Sequence, residues 1–87
     1  MNFMHYEVKA GPGEIIQVTI SRDANVRLLD QLNYAKYKLG KSYSATAGPE
    51  TEGPVKFAPP YKATWHVVVD MEGRMGTVRA FVDVMKM

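Results

Sequence analysis

The segment NVRLLDQLNYAKYKLG, residues 25–40, decides the fold because it joins a short strand to a short helix. Val26 and Leu28 alternate with Arg27, a period of two that is typical of a strand with one buried face. The segment therefore predicts a strand over 25–29.

The second half of this segment carries the signals of a helix with defined ends. Asp30 occupies the N-cap position and Gly40 the C′ position, which predicts a helix over 30–39. A helix this short is not stable alone, so it must dock on a neighbouring element, and the preceding strand is the expected platform. A helical wheel places Leu32, Ala35, Lys36 and Leu39 on one side and Asn33, Tyr34 and Tyr37 on the other.

The rest of the chain reads as short strands separated by glycine and proline turns. The last two strands, 64–70 and 77–85, are predicted to pair as an antiparallel hairpin. The fold class is therefore all-β: one domain over 1–87, a small antiparallel β-sandwich or barrel-like domain of six or seven short strands with one helix near 30–39. The other strands are predicted at 3–8, 14–21, 41–47 and 55–57, the last as an edge strand in a proline-rich loop.

Composition excludes several classes of protein. Hydrophobic residues make up 46% and charged residues 23% of the 87 residues, which is typical of a globular domain. The net charge of +2 gives no dedicated surface for nucleic acid or anionic membranes. The absence of cysteine removes disulfides and thiolate sites. No apolar run is long enough for a signal peptide or a transmembrane helix, so a cytoplasmic location is expected.

Three strings carry a resemblance to a known family: NVRLLDQLNYAKYKLG, PVKFAPP and TWHVVVDMEGRMGTVRAFVDV. Together with the opening Met1, Phe3, His5 and Tyr6, they resemble a family of small bacterial all-β domains of unknown function that are sometimes fused to TIR signalling domains. The resemblance implies a sensor or adaptor role and no particular site residue. More loosely, the layout is similar to GOLD-type and jelly-roll sandwiches, a likeness of fold alone.

His5 and His66 are the two histidines of the chain. If strands 3–8 and 64–70 paired, these side chains would share a face, and Glu7 or Asp70 would complete a metal site. The simpler interpretation is that each histidine hydrogen-bonds a neighbour. We predict no metal and no cofactor.

An acid-catalysed hydrolase is a second alternative that rests on Asp70, Glu72 and Asp83. Carboxylates beside a turn more often solvate or cap the backbone. No nucleophile–base motif or phosphate-binding loop accompanies them. The chain is therefore predicted not to be an enzyme.

Aromatic residues with a polar end form the most informative set: Tyr34, Tyr37, Tyr43, Tyr61 and Trp65. Such residues suit sugars, bases or protein surfaces, so a single-stranded nucleic-acid or carbohydrate-binding domain is the first alternative. The favoured interpretation is that Tyr34 and Tyr37 pack over the sheet as a lid with their hydroxyls in water, and that Trp65 belongs to the core.

Arg27 and Arg79 point outward from apolar strands, either as solvated positions or as a patch for an acidic partner. The prediction for function is a non-enzymatic binding module that contacts a protein or small ligand, not a membrane, through the helix and the 48–63 loop. An edge strand could also pair with a second copy. The predicted binding residues are Arg27, Tyr34, Tyr37, His66 and Arg79.

Overall fold

The computed structural model describes residues 3–22, 24–47, 53–71 and 77–87, and within them it contains seven strands and one helix. In chain order these are β1 (Phe3–Ala10), β2 (Glu14–Ile20), β3 (Asn25–Leu29), α1 (Gln31–Lys38), β4 (Thr46–Ala47), β5 (Gly53–Phe57), β6 (Ala63–Asp70) and β7 (Ala80–Lys86).

The strands form two antiparallel sheets. One sheet has the order β1-β6-β3-β4 and the other the order β5-β2-β7. Of the turns that carry the chain from one sheet to the other, the one from β1 to β2 uses Gly13, whose φ of 87° lies in the left-handed region. The predicted all-β sandwich is confirmed, and β5 is an edge strand as expected.

The predicted hairpin between 64–70 and 77–85 is wrong. β6 pairs with β1 on one side and β3 on the other, so both of its edges are occupied. β7 pairs with β2 in the opposite sheet. Alternation of apolar residues reports which face of a strand is buried, but it carries no information about the neighbouring strand.

The core lies between the sheets and is filled by the inward faces that alternation predicts. Trp65 is part of this core, and its indole Nε1–H donates to the carbonyl oxygen of Tyr61 at 3.2 Å. Burial of these side chains supplies the main free energy of folding. The inward residues include Ile16, Val18, Ile20, Val26, Leu28, Val55, Phe57, Val67 and Val69.

Helix α1 begins and ends where its capping residues predict. The Asp30 carboxylate accepts the backbone N–H of Asn33 at 2.9 Å. At the other end Gly40 adopts a φ of 72°, and the N–H of Lys41 reaches the carbonyl of Lys36 at 2.9 Å, as in a Schellman motif. No helix in the described ranges is both long and apolar enough to cross a membrane.

Helix α1 docks on the outer face of the four-stranded sheet through its tyrosine side. Tyr34 and Tyr37 are buried there with Leu29 and Val68 in a second, smaller apolar cluster. The predicted division of the helix into two sides is therefore confirmed. This docking encloses the polar side chains that form the candidate site.

Candidate functional site

The pairing of β1 with β6 brings both histidines to one place. In this antiparallel register His5 lies opposite Val68, and Glu7 lies opposite His66. All four residues therefore face outward from the sheet, on the side where helix α1 docks. The β1–β6 pairing that the two histidines need in order to share a face is therefore present.

The two imidazole rings lie edge to edge. His5 Nε2 is 2.7 Å from His66 Nδ1, the ring planes differ by 12°, and the centroids are 5.0 Å apart. The phenol ring of Tyr34 covers both, at centroid distances of 4.0 Å from His5 and 4.4 Å from His66. One aromatic ring thus holds the pair nearly coplanar against the sheet.

Gln31 fixes the direction of the hydrogen bonds. Its Oε1 lies 2.7 Å from His66 Nε2. Because an amide oxygen only accepts, His66 carries its proton on Nε2 and its Nδ1 is left as an acceptor. His5 Nε2–H then donates to His66 Nδ1. The three side chains therefore form one chain of hydrogen bonds that runs from His5 through His66 to Gln31 on helix α1.

Burial favours the neutral form of both histidines. Burial lowers the pKa of His66 below 6.5, and the adjacent His5 lowers it further. Burial likewise lowers the pKa of His5, with a smaller opposing effect from the Glu7 carboxylate. The Lys38 ammonium acts in the same direction as burial on both rings.

A second polar cluster lies further along the same face. The Tyr37 hydroxyl donates to Asp70 Oδ2 at 2.9 Å, and Arg27 Nη1 lies 3.9 Å from the same oxygen. Burial, aided by the Asp70 bond, raises the pKa of Tyr37 far above its ordinary value, so the hydroxyl stays protonated. The expectation that this hydroxyl would be wet is therefore wrong.

The structure gathers four of the five predicted binding residues on this face: Arg27, Tyr34, Tyr37 and His66. Arg79 lies elsewhere, just before β7, where its backbone N–H donates to the Ser21 hydroxyl at 2.8 Å. Whether the gathered residues bind anything stays a prediction.

The predicted binding set omits His5, Gln31 and Asp70, although His5, Glu7 and Asp70 were considered with His66 as a conditional metal site on this face. The alternation of β1 placed His5 and Glu7 together, and a β1–β6 pairing would have added His66. Nothing in the sequence indicated that Gln31 would contact His66, because the first residue of a helix can equally well face solvent.

The aromatic set divides by burial. Tyr34, Tyr37 and Trp65 are only 8%, 4% and 5% exposed, so their rings are not open to stacking by a base or sugar. Tyr43 and Tyr61 are exposed. The nucleic-acid and carbohydrate alternatives lose their main stacking surface.

The acidic residues do not come together where the structure describes them. Asp70 faces outward from the four-stranded sheet, and Asp83 is exposed on β7 of the other sheet. Glu72 and the 48–52 part of the predicted contact loop lie outside the described residues.

Two leucines are exposed on the solvent side of α1. Leu32 and Leu39 are 64% and 70% exposed. Leu32 also borders a shallow groove at the start of the helix, together with Asp30, Gln31, Tyr61, Ala63 and Thr64.

Comparison with known families agrees with this architecture. All 87 residues match the family model described as Domain of unknown function (DUF1883), over residues 1–87. The chain belongs to this family. The resemblance to a small all-β family of unknown function is thereby confirmed, while the fusion to TIR domains stays a prediction. Neither the curated proteins nor the solved structures give a significant match to the chain.

Proposed function

We propose that this DUF1883 domain is a non-enzymatic module that binds a protein partner through the solvent side of α1. The observation that carries the proposal is the exposure of Leu32 and Leu39, at 64% and 70%, on one face of the helix. Seven residues apart, the two leucines lie two helical turns apart in line. A sensor or adaptor role would use such a contact.

The orientation of α1 supports a contact on this side. The helix buries its tyrosines and leaves its leucines in water, which forgoes the burial free energy that leucine supplies in a core. Single exposed apolar residues are ordinary on protein surfaces. Two aligned leucines, of which Leu32 borders a groove lined by Tyr61, offer a partner apolar contact area.

Charge around the leucines indicates the chemistry of the partner. Lys36 lies on the leucine side of the helical wheel and Lys41 follows the helix, whereas Lys38 Nζ lies over the Tyr34 ring. A partner with an acidic rim around an apolar centre would complement this surface. A second copy in symmetric contact would instead bring the same lysines together, which disfavours a homodimer through α1.

A comparison of two surface variants tests the proposal. The tagged full chain, L32S/L39S and F81S are each used to capture partners from a lysate of the native host. Phe81 is a matched control because it is 67% exposed but lies on the three-stranded sheet. Circular dichroism and melting curves check that all three proteins fold.

The proposal expects a protein that is retained by the wild type and by F81S and is lost with L32S/L39S. Its retention should weaken as salt rises, since lysines contribute to the encounter. A partner lost with F81S and kept by L32S/L39S would contradict the proposal, as would the absence of any partner.

A further inference from the structure

We propose that His5, Glu7 and His66 form a binding site for a divalent transition-metal ion, with Zn²⁺ as its representative. The site goes beyond the partner contact on α1 and does not depend on it. One ligand atom from each residue lies within 4.8 Å of the other two.

The spacing of the imidazoles suits a shared ion after a small movement. His5 Nε2 and His66 Nδ1 are 2.7 Å apart and face each other. At Zn–N distances of about 2.0–2.1 Å, two ligands of a tetrahedral ion lie about 3.3 Å apart. The nitrogens therefore need to separate by roughly 0.6 Å, and the rings must turn so that their lone pairs, which now point along the hydrogen bond, meet at the ion.

The outer partner of His66 is of the kind that metal-binding histidines use. Its Nε2–H donates to Gln31 Oε1 at 2.7 Å, which fixes the tautomer and leaves Nδ1 free of a proton for the metal. This bond is independent of the clustering of the three ligands. His5 supplies Nε2 by transferring its proton to its own Nδ1 through solvent, so that no net proton is released.

The proposed site is buried on one side and exposed to solvent on the other. Tyr34 covers both rings, and His66 is 1% exposed. Glu7 is exposed, so its carboxylate can close on the ion from solvent and leave a fourth position for water. Lys38 Nζ lies 4.8 Å from the Tyr34 ring and opposes a cation, which keeps the site moderate in affinity.

The donor set defines the class of metal. Two imidazoles and one carboxylate suit zinc and its transition-metal neighbours, whereas magnesium and calcium require oxygen ligands. We therefore expect Zn²⁺ to bind and Mg²⁺ not to compete.

Calorimetric titration of the chelator-treated full chain with ZnCl₂ tests the site. The wild type should bind one ion per chain, and E7Q should weaken the affinity at least about tenfold through loss of the carboxylate charge. D83N removes an exposed carboxylate from the opposite sheet and should leave the affinity unchanged. Q31L should weaken binding by about 10- to 100-fold by releasing the orientation of His66.

Imidazole ¹⁵N spectra give a readout that a merely structural role would not move. Zinc should shift His5 Nε2 and His66 Nδ1, while His66 Nε2 stays protonated. The site is refuted if the wild type takes up no stoichiometric zinc, if E7Q and H5Q bind as tightly as the wild type, or if these nitrogens do not respond. None of these results bears on the partner contact, because no partner is present in the titration.

Discussion

The ring of Tyr34 covers the histidine pair on the outer face of the four-stranded sheet. Its ring stacks on both imidazoles, with interplanar angles of 14° to His5 and 8° to His66, while Phe3 meets it edge-on at 6.5 Å. A buried aromatic residue usually contributes through area alone. Here the ring also keeps two polar groups aligned, so that their hydrogen bond is made in an apolar environment where an unmade one would be costly.

The Tyr37 hydroxyl should contribute measurably to stability. Its bond to the Asp70 carboxylate is charge-assisted and shielded by burial. We expect Y37F to lower the free energy of unfolding by about 1.5–3 kcal/mol in urea denaturation. Y43F is the matched control, since Tyr43 is exposed and contacts Tyr37 only by its ring edge, and it should change the value by less than about 0.5 kcal/mol. Equal effects of the two substitutions would argue against the Asp70 bond.

The histidine pair should make stability depend on pH below neutrality. Burial places the folded-state pKa of His5 and His66 below the ordinary 6.5 of the unfolded chain. Below pH 6.5 the unfolded chain then binds more protons than the folded one, so stability is complete at pH 7.5 and falls as the pH approaches 5. NMR titration should give both histidines a pKa under 6.5, and a value above it for either would overturn this assignment.

At the scale of one residue, the sequence predicted the face of the sheet on which a side chain lies better than the side chains that it contacts. Alternation correctly placed Arg27, His66 and Asp70 on an outer face. It could not show that His66 meets Gln31, because that contact depends on how α1 lies across β6. Arg79 was grouped with Arg27 by type, and the structure separates them because Arg27 lies on β3 and Arg79 precedes β7 of the other sheet.

Helix α1 is the element whose ends are most fully specified by sequence. Asp30 at the N-cap and Gly40 at C′ fix an eight-residue helix that propensity alone would not sustain. The wheel separated tyrosines from leucines, and the favoured interpretation of Tyr34 and Tyr37 as a lid over the sheet gave the side that docks. That choice follows from shape and polarity, because tyrosine can fill the space over the sheet while its hydroxyl reaches Asp70.

Loss of the N-cap should destabilise the docked helix. The Asp30 carboxylate accepts from the Asn33 backbone, and this bond is the largest cause of its lowered pKa. We expect D30A to lower the free energy of unfolding by about 1–2 kcal/mol. D83A, on an exposed strand position, should change it by less than about 0.5 kcal/mol. If thermal denaturation shows the two variants to be equally stable, the cap is not holding the helix.

The whole molecule shows where strand alternation stops being informative. Alternation of apolar residues indicates the inward faces of β2, β3, β6 and β7, because each strand must bury one face against the opposite sheet. The predicted pairing of β6 with β7 was wrong, because in a sandwich the next strand in the sequence can belong to the opposite sheet, as β7 does. β1, which lies far from β6 in the sequence, takes that place instead, with His5 opposite Val68.

Engineered cysteines can test the sheet order directly, since the chain has none of its own. Thr19 and Phe81 are register partners on the exposed face of β2 and β7. T19C/F81C should therefore form an intramolecular disulfide under mild oxidation. E7C/F81C places the thiols on the outer faces of different sheets and should stay reduced, as read by non-reducing electrophoresis and mass spectrometry. A disulfide in the second pair alone would mean that the sheets are arranged otherwise.

The measurement that bears most directly on the proposed contact is site-specific photocrosslinking in the native host, with the photoreactive residue at position 39 or, as control, at position 81. Both positions are well exposed, at 70% and 67%, and lie on different layers of the sandwich. If α1 is the contact, position 39 gives a discrete adduct with another protein and position 81 gives none. An adduct from position 81 alone, or no adduct from position 39, would contradict the account.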